Sequence, residues 1–354
     1  MVRLLLLMQI LFPILSDKPS NTVSYYCRAI TVSSTKFSST VSDYPLVVSG
    51  TYSYLADTGN GGRVQNASGY DIQFFPSSDC SGTKLDFERV RWVNTSGLVQ
   101  FVVRIPSASS SSDTVISMRY GEPSVSTDQS NKTGTWASSF KGVYHFENGT
   151  TLSATDSTSN AADGSISGPV ATTGVLGGAA QFNGTSDVIT VTGKYGSPTV
   201  TTVEAWVSKD SGTDGVKGGI LSIADAVWLR ADWTSGLGYR SGYWGAVQTN
   251  EMFTNTSIAG AGWKYIAMVT DPGSSAEILY ENGSSISSGS APYGIDYTPA
   301  TNSTIGKYST IYFAGKIDEV RVSNAVRSAA YISATYNNIN NPGTFYTIGS
   351  EVAH

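Results

Sequence analysis

Between Ala314 and Gly349 the chain changes its hydrophobic period twice, and any fold for it must accommodate that change. Lys316 to Val322 alternates, with Ile317, Glu319 and Arg321 set against Asp318, Val320 and Val322. That is the two-residue period of a strand. Ser328 to about Asn337 then reads as a short helix, Pro342-Gly343 as a turn, and Thr344 to Ile348 as a last strand.

The rest of the chain reads as strands. Charged residues make up 14% of it, while Tyr (20), Trp (7) and Gly (37) are frequent and Ser and Thr occur throughout. Few charges, many β-branched and aromatic residues and regular turn signals describe an all-β protein. The length, 354 residues, suggests two domains. With 22 Lys and Arg against 27 Asp and Glu, the formal net charge is -5, which argues against a nucleic-acid partner. His145 and the terminal His354 are the two histidines, so a Ser/His/Asp or Cys/His engine has little to be built from. This composition fits an extracellular or particle-surface protein.

Met1-Val-Arg3 followed by the apolar run Leu4 to Leu15 has the order of a secretory signal peptide, although Leu15-Ser16-Asp17 is a poor cleavage site. The run is too short for a membrane span, and Pro13 interrupts it. Residues 1–20 are therefore expected to be a leader or a disordered start. Cys27 and Cys80 are the two cysteines, and no zinc-type spacing exists. In a secreted chain they form either a disulfide, the favoured reading, or two separate buried thiols. A bridge over so long a loop stabilises by roughly 3–4 kcal/mol in the chain-entropy view.

Residues 21–140 carry Ile30-Thr-Val32, Tyr44 to Val48, Tyr70 to Phe75, Leu98 to Ile105 and Thr114 to Tyr120 as strands, the spacing of a β-sandwich. Arg28-Ala-Ile30-Thr, Tyr44-Pro-Leu-Val, Gly69-Tyr-Asp71-Ile, Leu85-Asp-Phe-Glu88, Tyr120-Gly121 and Asp128-Gln-Ser-Asn131 with Trp136 resemble a family of unknown function. That family often precedes laminin-G-like domains in bacterial surface and phage proteins, and it implies a fold and a context, not a reaction. Asp71 and Glu88 invite an acid/base reading. Turn-capping carboxylates are the expected one.

Residues 141–354 open with Lys141-Gly-Val-Tyr-His-Phe146, continue through Gly177-Gly-Ala-Ala-Gln-Phe182 and Thr201-Thr-Val-Glu-Ala-Trp-Val207, and end with the strand, helix and strand described above. These motifs resemble the laminin-G-like, concanavalin-A-like jelly rolls, with Tyr144 where relatives carry Trp. The resemblance implies that Asp156 and Asn160 lie near Asp318 and hold a structural calcium. Oxygen donors suit that ion, but the same residues can instead satisfy backbone donors. Glu204 is expected to be structural, since Trp206 occupies the place a second glutamate would need on the same strand face.

Trp228 to Trp244 is the one stretch that invites a ligand, because it holds Trp228, Trp233, Tyr239, Tyr243 and Trp244 with Arg230, Asp232 and Arg240 between them. Rings stack on sugar faces, while charged groups bond the hydroxyls. Trp228 is expected in the core, and Trp233, Tyr243 and Trp244 are the candidate glycan contacts. The expectation is therefore two tandem β-sandwiches, the second a jelly roll with one short C-terminal helix. The function expected is non-catalytic recognition of a glycan or surface polysaccharide, secreted or at a surface. The alternative is a structural protein of a virion, filament or cell surface that assembles with itself or its neighbours. A polysaccharide-active enzyme has the least support.

Overall fold

The computed structural model describes residues 24–231, 238–245, 249–254 and 256–354. The leader and Trp233 lie outside them. The regular structure of the described chain is nearly all β, as expected. No described helix is long and apolar enough to cross a membrane.

The first sandwich packs a five-stranded sheet on a three-stranded one. The three-stranded sheet runs Val41–Thr51, Leu98–Ala108, Phe87–Val93. In the other sheet Thr114–Tyr120 lies between Tyr26–Val32 and Gln73–Phe75. Cys27 and Cys80 are joined by a disulfide, which settles the alternative in favour of the bridge.

The second sandwich packs an eight-stranded sheet on a seven-stranded sheet. At the centre of the larger one, Ala314–Ser323 pairs with Thr201–Lys209 on one side. On its other side the first half meets Gly178–Asn183 and the second half meets Phe140–Tyr144. The seven-stranded sheet runs Thr249–Phe253, Arg240–Trp244, Val227–Arg230, Gly219–Ile223, Ser303–Ile305, Val188–Val191, Gly164–Ser167. A dense core of Val203, Ala205, Val207, Leu221, Leu229, Ile266 and Val320 fills the gap between the sheets. Asn282-Gly283 makes the expected hairpin, both residues at positive φ (49° and 80°).

Two expectations about the C-terminal stretch need correction. Strict alternation puts Ile317, Glu319 and Arg321 on one face. Instead Ile317, Val320 and Val322 share the sandwich core. The register against Thr201–Lys209 slips by one residue there, and Glu319 sits at φ 48°, so a bulge turns the carboxylate to the other side. The last strand also leaves the jelly roll. Tyr346–Ile348 and Val352–Ala353 both pair with Tyr26–Val32, so the end of the chain completes the first sandwich. Helix Ala329–Asn340, capped by Ser328, carries it there.

The helix also explains why the two sandwiches are not independent. Trp206, Tyr265, Ala267 and Val269 point out of the eight-stranded sheet and join Tyr331, Ala334 and Phe345 in one apolar cluster with Tyr44, Leu46, Val48 and Phe101 of the first sandwich. The eight-stranded sheet thus packs on both faces, whereas among the described residues neither the helix nor the first sandwich packs on the outer face of the seven-stranded sheet.

Candidate functional site

Alternation along the strands of the open sheet decides which side chains it offers. In Val227–Arg230, Val227 and Leu229 enter the core, so Trp228 and Arg230 face outward. In Arg240–Trp244, Tyr243 enters the core, so Arg240, Gly242 and Trp244 face outward. The register places Arg230 opposite Arg240, and Arg240 opposite Phe253. Gly242 stands between Trp228 and Glu251. A Cβ on Gly242 would lie 2.1 Å from the Asn250 carbonyl oxygen, so only glycine lets the next strand pass this close.

The hairpin Lys307–Tyr308/Ile311–Tyr312 folds over one end of this face. Tyr308 covers Trp228 with ring centroids 5.1 Å apart, and the Arg230 guanidinium sits 4.7 Å from the same ring. Arg240 grips Glu251 through Nε and Nη2 at 3.2 and 2.8 Å. Beside them opens a cavity of about 540 Å³ between the hairpin and the loops at Gly184 and Val216. Trp244 is 43% exposed and Phe253 50% exposed, an uncommon display of large rings.

Of the three expected ligand contacts, Trp244 is on this surface and Trp233 lies outside the described residues. Tyr243 is fully buried between the sheets, where its hydroxyl accepts the Tyr293 amide at 3.4 Å, so it cannot meet a ligand. The expectation failed there because its Gly and Ser neighbours suggested a loop, whereas the segment is a strand that turns Tyr243 inward. Trp228 is buried as expected, but under Tyr308 on the outer face rather than in the sandwich core. Arg230 and Arg240 were legible as charges near the rings, but their direct opposition was not.

The expected calcium ligands do not fit a metal. Asp156 accepts from the Val143, Thr158 and Ala162 amides and the Thr158 hydroxyl at 2.7–2.9 Å. Asp318 accepts from the Val175, Leu176 and Glu319 amides at 2.6–3.1 Å. Asn160 points its amide at the Phe140 carbonyl. The two carboxylates share none of these partners, and their oxygens are occupied by backbone donors. Burial, then the Glu319 charge, raises the Asp318 pKa well above the carboxylate range. Among the described residues no group of three or more His, Cys, Asp or Glu is placed to hold an ion.

Asp71 and Glu88 do not meet. Asp71 caps the Gln65, Asn66 and Gly121 amides. Glu88 instead joins a buried cluster at the junction of the sandwiches, which no local sequence signal announces. Its oxygens accept from Ser157 Oγ (2.7 Å) and Trp136 Nε1 (2.7 Å) and lie 3.3 Å from His145 Nε2. His145 Nδ1 bonds Glu319, which also takes the Arg321 guanidinium at 2.8 Å. Burial opposes a charged imidazole, but Glu319 and Glu88 outweigh it and raise the His145 pKa to about 10. A histidine held protonated is no general base, and the Ser157 hydroxyl donates to Glu88 rather than to the ring. The cluster is an electrostatic pin between the domains. Glu204 is buried below the helix, bonded to the Tyr265 hydroxyl, and burial pushes its pKa up.

Residues 183–333 match the family described as the concanavalin A-like lectin/glucanases superfamily. No curated protein matches the chain. Among solved structures, the chain is similar to domain 4 of AbnA, a GH43 extracellular arabinanase from Geobacillus stearothermophilus, in complex with arabinotriose. The identity is 20% and the TM-score 0.46, over 55% of this chain and 96% of that one. The binding domain of Paraclostridial Mosquitocidal Protein 1 gives 13% and 0.47, over 57% and 53%. The receptor binding domain of botulinum neurotoxin C/D mosaic serotype gives 14% and 0.44, over 56% and 51%. The chain thus spans about half the length of the latter two.

Proposed function

We propose that the protein is a non-catalytic, extracellular or particle-surface recognition module that takes a glycan on the outward face of its seven-stranded sheet. The observation that carries this reading is the composition of that face. Exposed rings, Trp244 and Phe253, flank a charged pair, Arg240 and Glu251, on a sheet face that, among the described residues, neither the helix nor the first sandwich packs against. Indole faces bind the apolar side of a sugar ring, while guanidinium and carboxylate bond its hydroxyls. The match of residues 183–333 to a lectin and glucanase superfamily is consistent with it. A glycan array probed with the full chain, followed by calorimetry on the best ligand, tests the reading. Trp244→Ala should weaken binding at least roughly tenfold with an unchanged melting temperature, a loss of the size expected for one stacking aromatic anchor. An array without any saccharide hit, or a Trp244→Ala protein that binds as tightly as the parent, would refute it.

A second reading, assembly into a surface structure, has its own support. Ile166 and Val170 are exposed on Gly164–Ser167 and Val170–Thr173, the edge strands of the two jelly-roll sheets. Open edges with apolar side chains are templates for pairing. Light scattering on the full chain decides it: a discrete oligomer lost in Val170→Lys favours assembly, and a monomer leaves recognition as the function.

A further inference from the structure

We propose that the crevice between the two sandwiches is a second binding site, for a small neutral polyhydroxylated molecule the size of one sugar unit, and that it works apart from the outward sheet face. A cavity of about 240 Å³ opens there. Glu88, Ser130 and Lys132 of the first sandwich form one wall, and His145, Glu147 and Ser157 of the second form the other. Junctions of this kind are favoured places for small-ligand sites. The space equals roughly eight waters at about 30 Å³ each, which suits a single ring.

The floor is polar and fixed. Glu88, His145 and Ser157 are 6%, 7% and 1% exposed, and each holds another in place. Trp136 and His145 take one Glu88 oxygen, Oε2. The other, Oε1, accepts only from Ser157 among the described residues, at 2.7 Å, so a lone pair on it remains for a ligand hydroxyl. The second wall is also built at a cost. Phe146 and Glu147 sit at φ 52° and 66°, a conformation that bulky residues rarely adopt. Gly177 and Gly178 make room for that turn: a Cβ on the first would lie 2.5 Å from the Glu147 carbonyl oxygen, and on the second 2.8 Å from that of Phe146. Strain of this type gathers at ligand clamps.

Charge balance selects the ligand. The described lining holds three acids, Glu88, Asp128 and Glu147, and three bases, Arg89, Lys132 and the protonated His145. Glu88 is matched by His145, and Asp128 is paired with Arg89 at 2.9 Å. No net charge is left for an ion to answer. The hydroxyls of Ser130, Ser153 and Thr155 on the walls can both donate and accept, as sugar hydroxyls do.

The test is saturation-transfer NMR and calorimetry on the full chain with glucose, galactose, arabinose and myo-inositol. At least one should bind with a dissociation constant on the order of 1–10 mM, the affinity expected of about a dozen heavy atoms. Thr155→Trp fills the cavity from the second sandwich and Ser130→Phe from the first. Each should weaken binding at least about tenfold by steric exclusion, with the parent's melting temperature. Trp244→Ala, which removes the outward ring, should leave this binding within about twofold, since the two sites share no residue. Absence of binding by all four probes up to about 50 mM, well above the expected constants, overturns the junction site. Binding that survives the cavity-filling variants, or that Trp244→Ala alone abolishes, overturns it as well and assigns the sugar to the outward face. Failure of the glycan array with these results intact would overturn only the outward-face reading.

Discussion

Asn338→Ala tests how the end of the chain stabilises its beginning. Val41–Thr51 is the edge of a three-stranded sheet, so alternate residues along its outer side have no strand to bond. Asn338 on the helix takes the place of one: its Oδ1 accepts the Val47 amide at 2.7 Å and its Nδ2 donates to the Val47 carbonyl at 2.9 Å. Two residues on, the Tyr346 hydroxyl accepts from the Ser49 amide at 2.9 Å and donates to its carbonyl at 3.0 Å. Val47 and Asn338 are each 1% exposed, so truncation leaves a buried N–H and a buried C=O without partners. At about 1–3 kcal/mol per orphaned group the loss centres on about 4 kcal/mol. The unfolding entropy of a chain of 354 residues, on the order of 0.7 kcal/mol/K, converts that to a melting temperature lower by about 5 °C. Differential scanning calorimetry on the parent, Asn338→Ala and Asn338→Leu reads it. Leucine fills the space without supplying the bonds, so both variants should fall together and retain one transition, because the sandwiches share one apolar cluster. A shift below about 1 °C for both variants, against the 1–3 kcal/mol expected per group, would refute the surrogate-strand argument. Two transitions with only one displaced would refute the shared core.

Reduction, or replacement of Cys27 and Cys80 by serine, should cost about 4 kcal/mol for a loop of 53 residues, read as a comparable fall in melting temperature that reductant does not deepen in the serine variant. The junction cluster predicts a pH optimum. The His145 pKa rises from 6.5 to about 10 on folding, so its contribution is full below about 6.5 and is lost as pH climbs through about 10. The Glu88 pKa is lowered from 4.5: burial opposes the charge, but His145 outweighs it, so that contribution is full above about 4.5 and is lost on acidification. Stability from the cluster should therefore peak between these limits, and Glu88→Gln should flatten its alkaline side in chemical denaturation. Burial, helped by the Glu251 charge, raises the Glu277 pKa from 4.5 to about 8, so its protonated form stabilises at low pH and that benefit is lost as pH rises through about 8. Glu277→Gln should accordingly raise the melting temperature above pH 8 and leave it unchanged near pH 4, a thermal-shift series that fails if both ends move alike.

Much of the architecture is legible in the residues alone because it depends on local rules. Two-residue alternation finds the strands, and Asn282-Gly283 finds its hairpin. Ser328 before an apolar run finds the helix start, and two cysteines in one segment admit a single bridge. Alternation even sorts Val227–Arg230 and Arg240–Trp244 into inward and outward rows once the strand bounds are known. What it cannot supply is which sheet face meets water, since that depends on what packs there from far along the chain. The helix Ala329–Asn340 and the first sandwich pack on the eight-stranded sheet, which leaves the outer face of the other sheet to the hairpin Lys307–Tyr308/Ile311–Tyr312 and to water. The extra residue at Glu319 reverses the alternation that strand spacing implies, and it brings residues 88, 145 and 319 into one buried cluster. The last strand pairs with the first sandwich rather than its sequence neighbours because Tyr26–Val32 has an unpaired edge to fill. Pairings of this kind are settled by long-range hydrogen-bond satisfaction, which no window of sequence contains.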